Sequence, residues 1–340
     1  MASLPWSENW RRSYKITIGT REVSTEVFTV QDLDGVPPLL LSNDLESDTL
    51  TTPSNARTLS NLPAEGFSER GFTFKFNSVQ KLSSQGSEGE KSTLTLYGLD
   101  AELISIINQD KCLVIIEAGY GGKTEVAYSG DVVKVTPEKN GAEEIYHLQC
   151  ASGAFAMRNT LVNMHYDESL SEEDIIIDMA KRFPGTALGT YGLNDQSGRF
   201  KTGGKNFNGS LVTNFDNIMA KNNLSWAHFN GKIVITPYRL IGKDYDHFAR
   251  TNYTLNEDLI KAITDTTDNN KSGTADTKSK LKSLQINTFY IPIGLGQLVT
   301  IPTSDYTTGK DGTYQVKARR LILESKGNAW DVVLEVEQIS

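Results

Sequence analysis

The stretch Lys111-Cys112-Leu113-Val114-Ile115-Ile116-Glu117-Ala118-Gly119-Tyr120-Gly121-Gly122 decides how the chain reads. An apolar run of strand length ends in a glycine-rich turn. Residues 124–129, 131–136 and 143–151 follow as further runs of strand length, the last two separated by Asn140-Gly141. Short β-rich runs divided by Gly or Asn-Gly predict a meander of antiparallel neighbours.

Working outward, residues 14–18 (Tyr-Lys-Ile-Thr-Ile) and 26–30 (Val-Phe-Thr within them) alternate as strands do, as do residues 72–76 and 92–97. A short helix is expected over 100–108. Between 31 and 70 the alternation dissolves into Pro, Ser, Asn and Asp around an apolar Leu39-Leu40-Leu41 patch, a connection long enough to be functional or docked on something. Residues 1–150 therefore read as one antiparallel barrel with a long inserted loop at 31–70.

The period changes after residue 151. Ser171 followed three residues later by Asp174 predicts a capping box opening an amphipathic helix over 172–183, which Pro184 and Gly185 end. Ser210 can cap a second helix, with Leu211, Phe215, Ile218 and Met219 on one stripe. Residues 225–229 and 232–236 flank Asn230-Gly231, the strongest hairpin signal in the sequence. Residues 151–240 read as a small α+β module. Residues 241–340 then hold a polar linker at 264–280 and a second barrel, with strands expected over 281–290, 297–301, 314–323 and 330–339. The hairpin around Val316–Val336 echoes the one around Val132–Gln149, which two similar barrels would explain. The fold class is thus mainly β with an α+β insertion.

Composition excludes several functions. The chain carries 34 Lys and Arg against 42 Asp and Glu, a net charge of -8, and its basic pairs Arg11-Arg12 and Arg319-Arg320 stand alone. Specific nucleic-acid binding needs clustered cations, so none is expected. No run approaches the roughly 20 apolar residues of a membrane span, so no stable membrane insertion is expected. The two cysteines, Cys112 and Cys150, sit in apolar runs and read as buried thiols of a protein made in a reducing cytoplasm.

No motif assigns chemistry. Glu117 stands where a phosphate-binding loop needs Gly, and a strand is expected after Lys123-Thr124, so the segment reads as a hairpin turn. Asp268-Asn269-Asn270-Lys271-Ser272-Gly273 begins like a calcium loop, yet Ser279 occupies the position of the bidentate Glu. His147, His165, His228 and His247 lack ligand spacing. The acid pairs Glu143-Glu144 and Glu172-Glu173, and Asp265 with Asp268, do not by themselves make a cleft, and Glu172 and Glu173 suit a helix N-terminus. Catalytic, cofactor-binding and metal-binding residues are each assigned as none, no cofactor is expected, and the chain is not read as an enzyme.

The order of elements resembles baseplate hub proteins of contractile-tailed bacteriophages and of related injection machines. The residues that carry this are the run 111–120 ending Ala118-Gly119-Tyr120, followed by Tyr128-Ser129-Gly130-Asp131-Val132. The helix and hairpin ending Ile233-Val234-Ile235-Thr236-Pro237 carry it too, with Gly296-Gln297-Leu298-Val299-Thr300-Ile301 and Asp311-Gly312-Thr313-Tyr314-Gln315-Val316. The resemblance spans most of residues 14–339. It implies two tube-protein-like barrels per chain and a homotrimer whose six barrels mate with a sixfold tail tube on one side and a threefold central spike on the other. Implied partners are a trimeric spike protein, the tail tube or tube-initiator protein, other baseplate proteins and a tape-measure protein. The implied place is the virion tail, assembled in the host cytoplasm. The alternatives are a tail-tip cell-wall hydrolase, a glycan-binding β-protein using Trp6 and Trp10, or another tube-like tail protein such as a distal tail protein.

Overall fold

Hydrogen bonding along β-rich runs builds one large sheet, in which strands from both ends of the chain take part. The computed structural model describes residues 11–21, 53–85, 90–167, 170–184, 186–190, 204–238, 252–267 and 282–339. The expected strand at 26–30, the Leu39–Leu41 patch, the calcium-like loop from Asp268, His247, Trp6 and Trp10 lie outside these residues.

The first part holds β1 (Arg12–Thr20), β2 (Ser54–Ser60), β3 (Phe74–Lys81), β4 (Lys91–Tyr97), α1 (Ala101–Ile107), β5 (Cys112–Tyr120), β6 (Lys123–Asn140) and β7 (Glu143–Ala151). The Asp100 carboxylate accepts from Leu103 N and starts α1. The middle part holds α2 (Ala154–Asn159), β8 (Leu161–Tyr166), α3 (Glu172–Lys181), β9 (Ala187–Thr190), β10 (Lys205–Ser210), α4 (Leu211–Lys221), β11 (Leu224–Phe229) and β12 (Lys232–Pro237). The last part holds β13 (Asn252–Thr254), β14 (Ile260–Asp265), β15 (Ser283–Phe289), β16 (Leu298–Ile301), β17 (Gly312–Glu324) and β18 (Trp330–Gln338).

The strand order of the large sheet is β14-β15-β18-β17-β3-β4-β7-β6-β5-β1-β2, with β16 on β17 and β13 on β16. Its two ends repeat one arrangement. From β3 the order β3-β4-β7-β6-β5-β1 matches β14-β15-β18-β17-β16-β13, and chain order matches too. The hairpin echo seen in the sequence falls on the corresponding pairs β6–β7 and β17–β18. Each pair carries one register shift at the same place, between Val132 and Lys134 and between Val316 and Ala318. Such bulges bend a strand and raise its twist. The copies differ at one end: β1 runs antiparallel to β5, while β13 runs parallel to β16.

The apolar face of this sheet makes a single cluster running from Tyr14 to Val336. The opposite face carries polar residues, with Lys75, Asn77, Gln285, Arg320 and Glu335 among them, so β3, β15 and β18 alternate as a one-sided sheet requires, whereas β5 is buried on both faces.

The middle part packs its own core, in which Phe183, Phe215 and Trp226 meet edge-on or tilted at 4.9–5.8 Å between ring centroids. Ser171 and Asp174 form the expected capping box, and Ser210 caps α4 through Thr213 N. Asn230 and Gly231 both take positive φ, 49° and 80°, as a two-residue turn between right-twisted strands demands.

Three boundaries differ from those expected. Residues 124–136 form part of one long strand, β6, because Gly130 does not break it: any Cβ there would come within 2.2 Å of Tyr128 Oη, so glycine is needed for packing. The end of the 31–70 loop is a strand, β2, whose Ser-Asn-Ala-Arg-Thr-Leu-Ser offers a single large apolar residue, Leu59, to the core and pairs, among the described residues, with β1 alone. Thr264 and Asp265 belong to β14 rather than to a linker.

Candidate functional site

The residues that join the three parts are the chemically unusual ones. Arg319, on β17, is almost wholly buried. Its Nε donates to Gln80 Oε1 of β3 at 2.8 Å, one terminal nitrogen to Ile293 O at 2.8 Å, and the other to Ala127 O of β6. The guanidinium also lies 4.3 Å from the ring centroid of Phe229, on β11. One side chain thus ties both ends of the sheet to the middle module. Burial pulls its pKa down to about 10, which leaves it charged at neutral pH.

Several polar groups around it are paired. Gln80 Nε2 reaches Ser152 Oγ at 3.5 Å, and Ser152 donates to Ser129 O at 2.8 Å. Glu90 accepts from Ser152 N at 2.9 Å and from Ser92 Oγ at 3.0 Å, and burial pushes its carboxyl up. Arg21 Nη2 meets Asp131 Oδ1 at 2.9 Å, while the other oxygen of Asp131 accepts from Phe155 N at the start of α2. Buried charges survive only when so satisfied.

The β11–β12 hairpin is the wedge of this junction. Trp226, Ile233 and Ile235 point into the module core, whereas Ala227 and Val234 point into the sheet core. The backbones of Ser83 and Trp226 exchange hydrogen bonds of 3.2 and 2.8 Å. Asn230 Oδ1 accepts from Ser129 N at 3.2 Å, and Gln315 Nε2 donates to Thr236 Oγ1 at 2.8 Å. Both repeats of the sheet are gripped by one hairpin.

The residues weighed in the sequence lie apart. Gly121 and Gly122 form the turn between β5 and β6, with φ of 62° and 85°. His147 contacts Glu138 and Thr95, His165 contacts Asn206, and His228 is buried against Thr186. Cys112 and Cys150 are buried free thiols, and burial raises the pKa of both. Glu172 is held by Lys205 and Lys221: burial opposes its charge, but these donors hold its carboxyl below the usual value. Among the described residues no cluster of three metal-ligating side chains occurs, and no helix is long and apolar enough to cross a membrane. Arg319 was missed as a junction residue because it reads as half of a basic pair. The available signal was its phase, two residues before Leu321 and four before Leu323 on the core face.

A groove of ≈ 460 Å³ crosses the polar face above the join, lined by Val79, Thr264, Gln285, Asn287, Arg320 and Glu335. Its lining mixes signs and small polar groups, which suits a solvated wall more than a ligand pocket.

The fold as a whole is similar to those of phage tail and secretion-spike proteins of known structure. Among solved structures, a tail protein from Neisseria meningitidis MC58 superimposes with a TM-score of 0.52 at 11% identity, covering 79% of this chain and 93% of that one. A Francisella PdpA-VgrG complex gives 0.56 at 10%, covering 97% of this chain and 58% of that one. An E. coli component of the type VI secretion system, described as structurally similar to bacteriophage T4 tail proteins, gives 0.50 at 7%, with 79% and 74% covered. No protein-family model matches the sequence, and no curated protein sequence matches it. The resemblance to phage tail and baseplate proteins holds at the level of the fold.

Proposed function

We propose that the protein is a non-enzymatic baseplate hub of a contractile phage tail, a homotrimer that adapts the sixfold tail tube to the threefold central spike. The observation that carries this reading is the repeated strand order within one chain, β3-β4-β7-β6-β5-β1 and β14-β15-β18-β17-β16-β13. Two like units per chain become six in a trimer, so one face of the ring can be pseudo-sixfold while the chain itself stays threefold.

In this reading residues 1–150 and 241–340 are the two tube-like barrels, and residues 151–240 are the hub module braced between them. The fold shared with a VgrG-containing complex supports a spike-like partner. Tail tube or tube-initiator protein, other baseplate proteins and a tape-measure protein complete the set, and the protein resides in the virion. A net charge of -8 suits a ring through which DNA passes without being held.

Mass in solution tests this, for the protein alone and mixed with the spike protein encoded beside it. A trimer in either condition is expected. A monomer that ignores the spike overturns the reading.

A further inference from the structure

A cleft of ≈ 360 Å³ opens where the end of β12 meets β15, β17 and β18, between the middle module and the sheet. Small-molecule sites concentrate at such junctions, and the volume falls within their usual range of roughly 300–1,000 Å³. The cleft adjoins the groove on the polar face, with which it shares Gln285 and Glu335, but it has an aromatic wall and a buried hydroxyl that the groove lacks.

The inner wall is made of buried residues. Leu82 and Val336 supply apolar surface. Ser225, on β11, is 2 % exposed and lines the cleft with a hydroxyl that makes no hydrogen bond among the described residues. A buried hydroxyl without a partner is costly, and a ligand carrying hydroxyls of its own would satisfy it. Tyr238 forms the outer wall and is 55 % exposed. Its backbone is fixed on both sides: N donates to Asn223 O at 2.8 Å, and O accepts from Lys317 Nζ at 2.6 Å.

The charges of the cleft cancel. Lys81 and Lys317 stand against Glu335 and Glu337. Lys317 and Glu337 meet at 3.5 Å, whereas the side chains of Lys81, Glu335 and Gln285 make no hydrogen bond or ion pair among the described residues. Lys81 and Glu335 lie on either side of Ala318, each directly opposite it. Unspent donors and acceptors of both signs therefore face one space that has no net charge. An anion or a cation entering it would meet a repelling group for every attracting one. A neutral molecule with hydroxyls on its rim and a flat C–H face meets every group on favourable terms.

We propose that this cleft binds a neutral pyranose sugar, with one ring flat against Tyr238 and a hydroxyl on Ser225. The site goes beyond the hub reading and does not depend on it, since all of its groups come from one chain.

Saturation-transfer NMR on the full chain tests this, with cellobiose and N,N′-diacetylchitobiose as probes and inorganic phosphate as competitor. Transfer to the C–H protons of at least one disaccharide is expected, and phosphate should not displace it. Tyr238→Ala should weaken binding about tenfold, as the loss of one aromatic contact does. Ser225→Ala should weaken it by a similar factor through the lost hydrogen bond. Thermal melts of each variant separate lost binding from lost fold, and Gln285→Ala, at an exposed position, replaces Ser225→Ala if that variant does not fold. No transfer to either sugar, transfer undiminished in the Tyr238 variant, or displacement of the sugar by phosphate overturns the proposal.

Discussion

Arg319 and Gln80 stand 239 residues apart in sequence, and the Nε of one donates to the Oε1 of the other at 2.8 Å in a buried site. Together they mark the seam where β17 and β3 pair. The seam is polar near one end, on the face that otherwise carries the apolar core, so its stability there depends on complete pairing rather than on area.

Replacing Arg319 by Ala leaves Gln80 and two carbonyls without their donor. A loss of about 3–5 kcal/mol is expected, read as a shift in the denaturant midpoint. Arg319→Lys should recover only part of it, since three acceptors and the Phe229 face match a planar fork rather than a point charge. Full recovery by Lys would mean that charge alone holds the seam.

Glu173 is buried at the start of α3, and burial, then the neighbouring Asp174, push its carboxyl up to about 7. The folded chain therefore holds the proton more tightly than the unfolded chain. Stability associated with it is fully present below the ordinary carboxylate pKa and is lost as pH rises through 7. Glu173→Gln should raise stability at pH 8 by ~1–2 kcal/mol after allowance for solvent screening, with little change at pH 4. An equal effect at both pH values would contradict this.

His228 has the opposite sign. Burial, then the charge of Arg21, lower its pKa to about 3. The unfolded chain takes up a proton near pH 6.5 that the folded chain refuses, so stability present above that pH is lost as pH falls toward 3. The loss is on the order of 3 kcal/mol at the acid end. His228→Phe should flatten the acid limb of a melting profile measured from pH 7 to pH 4.

Gly153 faces the same imidazole. It takes φ of 66°, and a Cβ there would lie 2.2 Å from His228 Cδ2. Gly153→Ala is expected to cost about 2–3 kcal/mol through both strain and contact. Pairing it with a smaller residue at 228 should recover the contact part, which a double-mutant cycle would measure.

Gly130 makes a similar case inside β6, where Tyr128 Oη occupies the space of a Cβ. Gly130→Ala should destabilise the protein by roughly 1–3 kcal/mol, and Tyr128→Phe in that background should relieve part of it. Simple addition of the two effects would show that the two side chains do not compete for the same space.

Local signals in the sequence proved readable wherever the physics is local. The Ser171–Asp174 box, the Ser210 cap and the Asn230-Gly231 turn each need only a few neighbouring residues, and each forms as expected. Pairing between distant strands has no such signature. Nothing near Phe74 or Arg320 announces that β3 will lie beside β17, since strand preference reports a half-buried surface and not a partner. For the same reason β2 and β13 escaped notice: β13 is only three residues long, β2 is mostly polar, and among the described residues each is held by one edge. The junction was hidden by its own composition, because a buried Arg beside an exposed one looks like a surface pair until strand phase is considered.

The β3–β17 seam also sets the order of events during synthesis. β3 emerges early, and the strand that completes it is made only after the whole middle module and most of the last repeat. Until then the edge of β3 that will meet β17 is bare, and the nascent chain is open to mispairing with its neighbours on other ribosomes. Closure over so long a loop makes the final step slow relative to the hairpins, which form from adjacent sequence. The middle module, with a separate core and mostly nearby contacts, is free to finish first and to present its β11–β12 wedge as the surface on which the late strands come to rest.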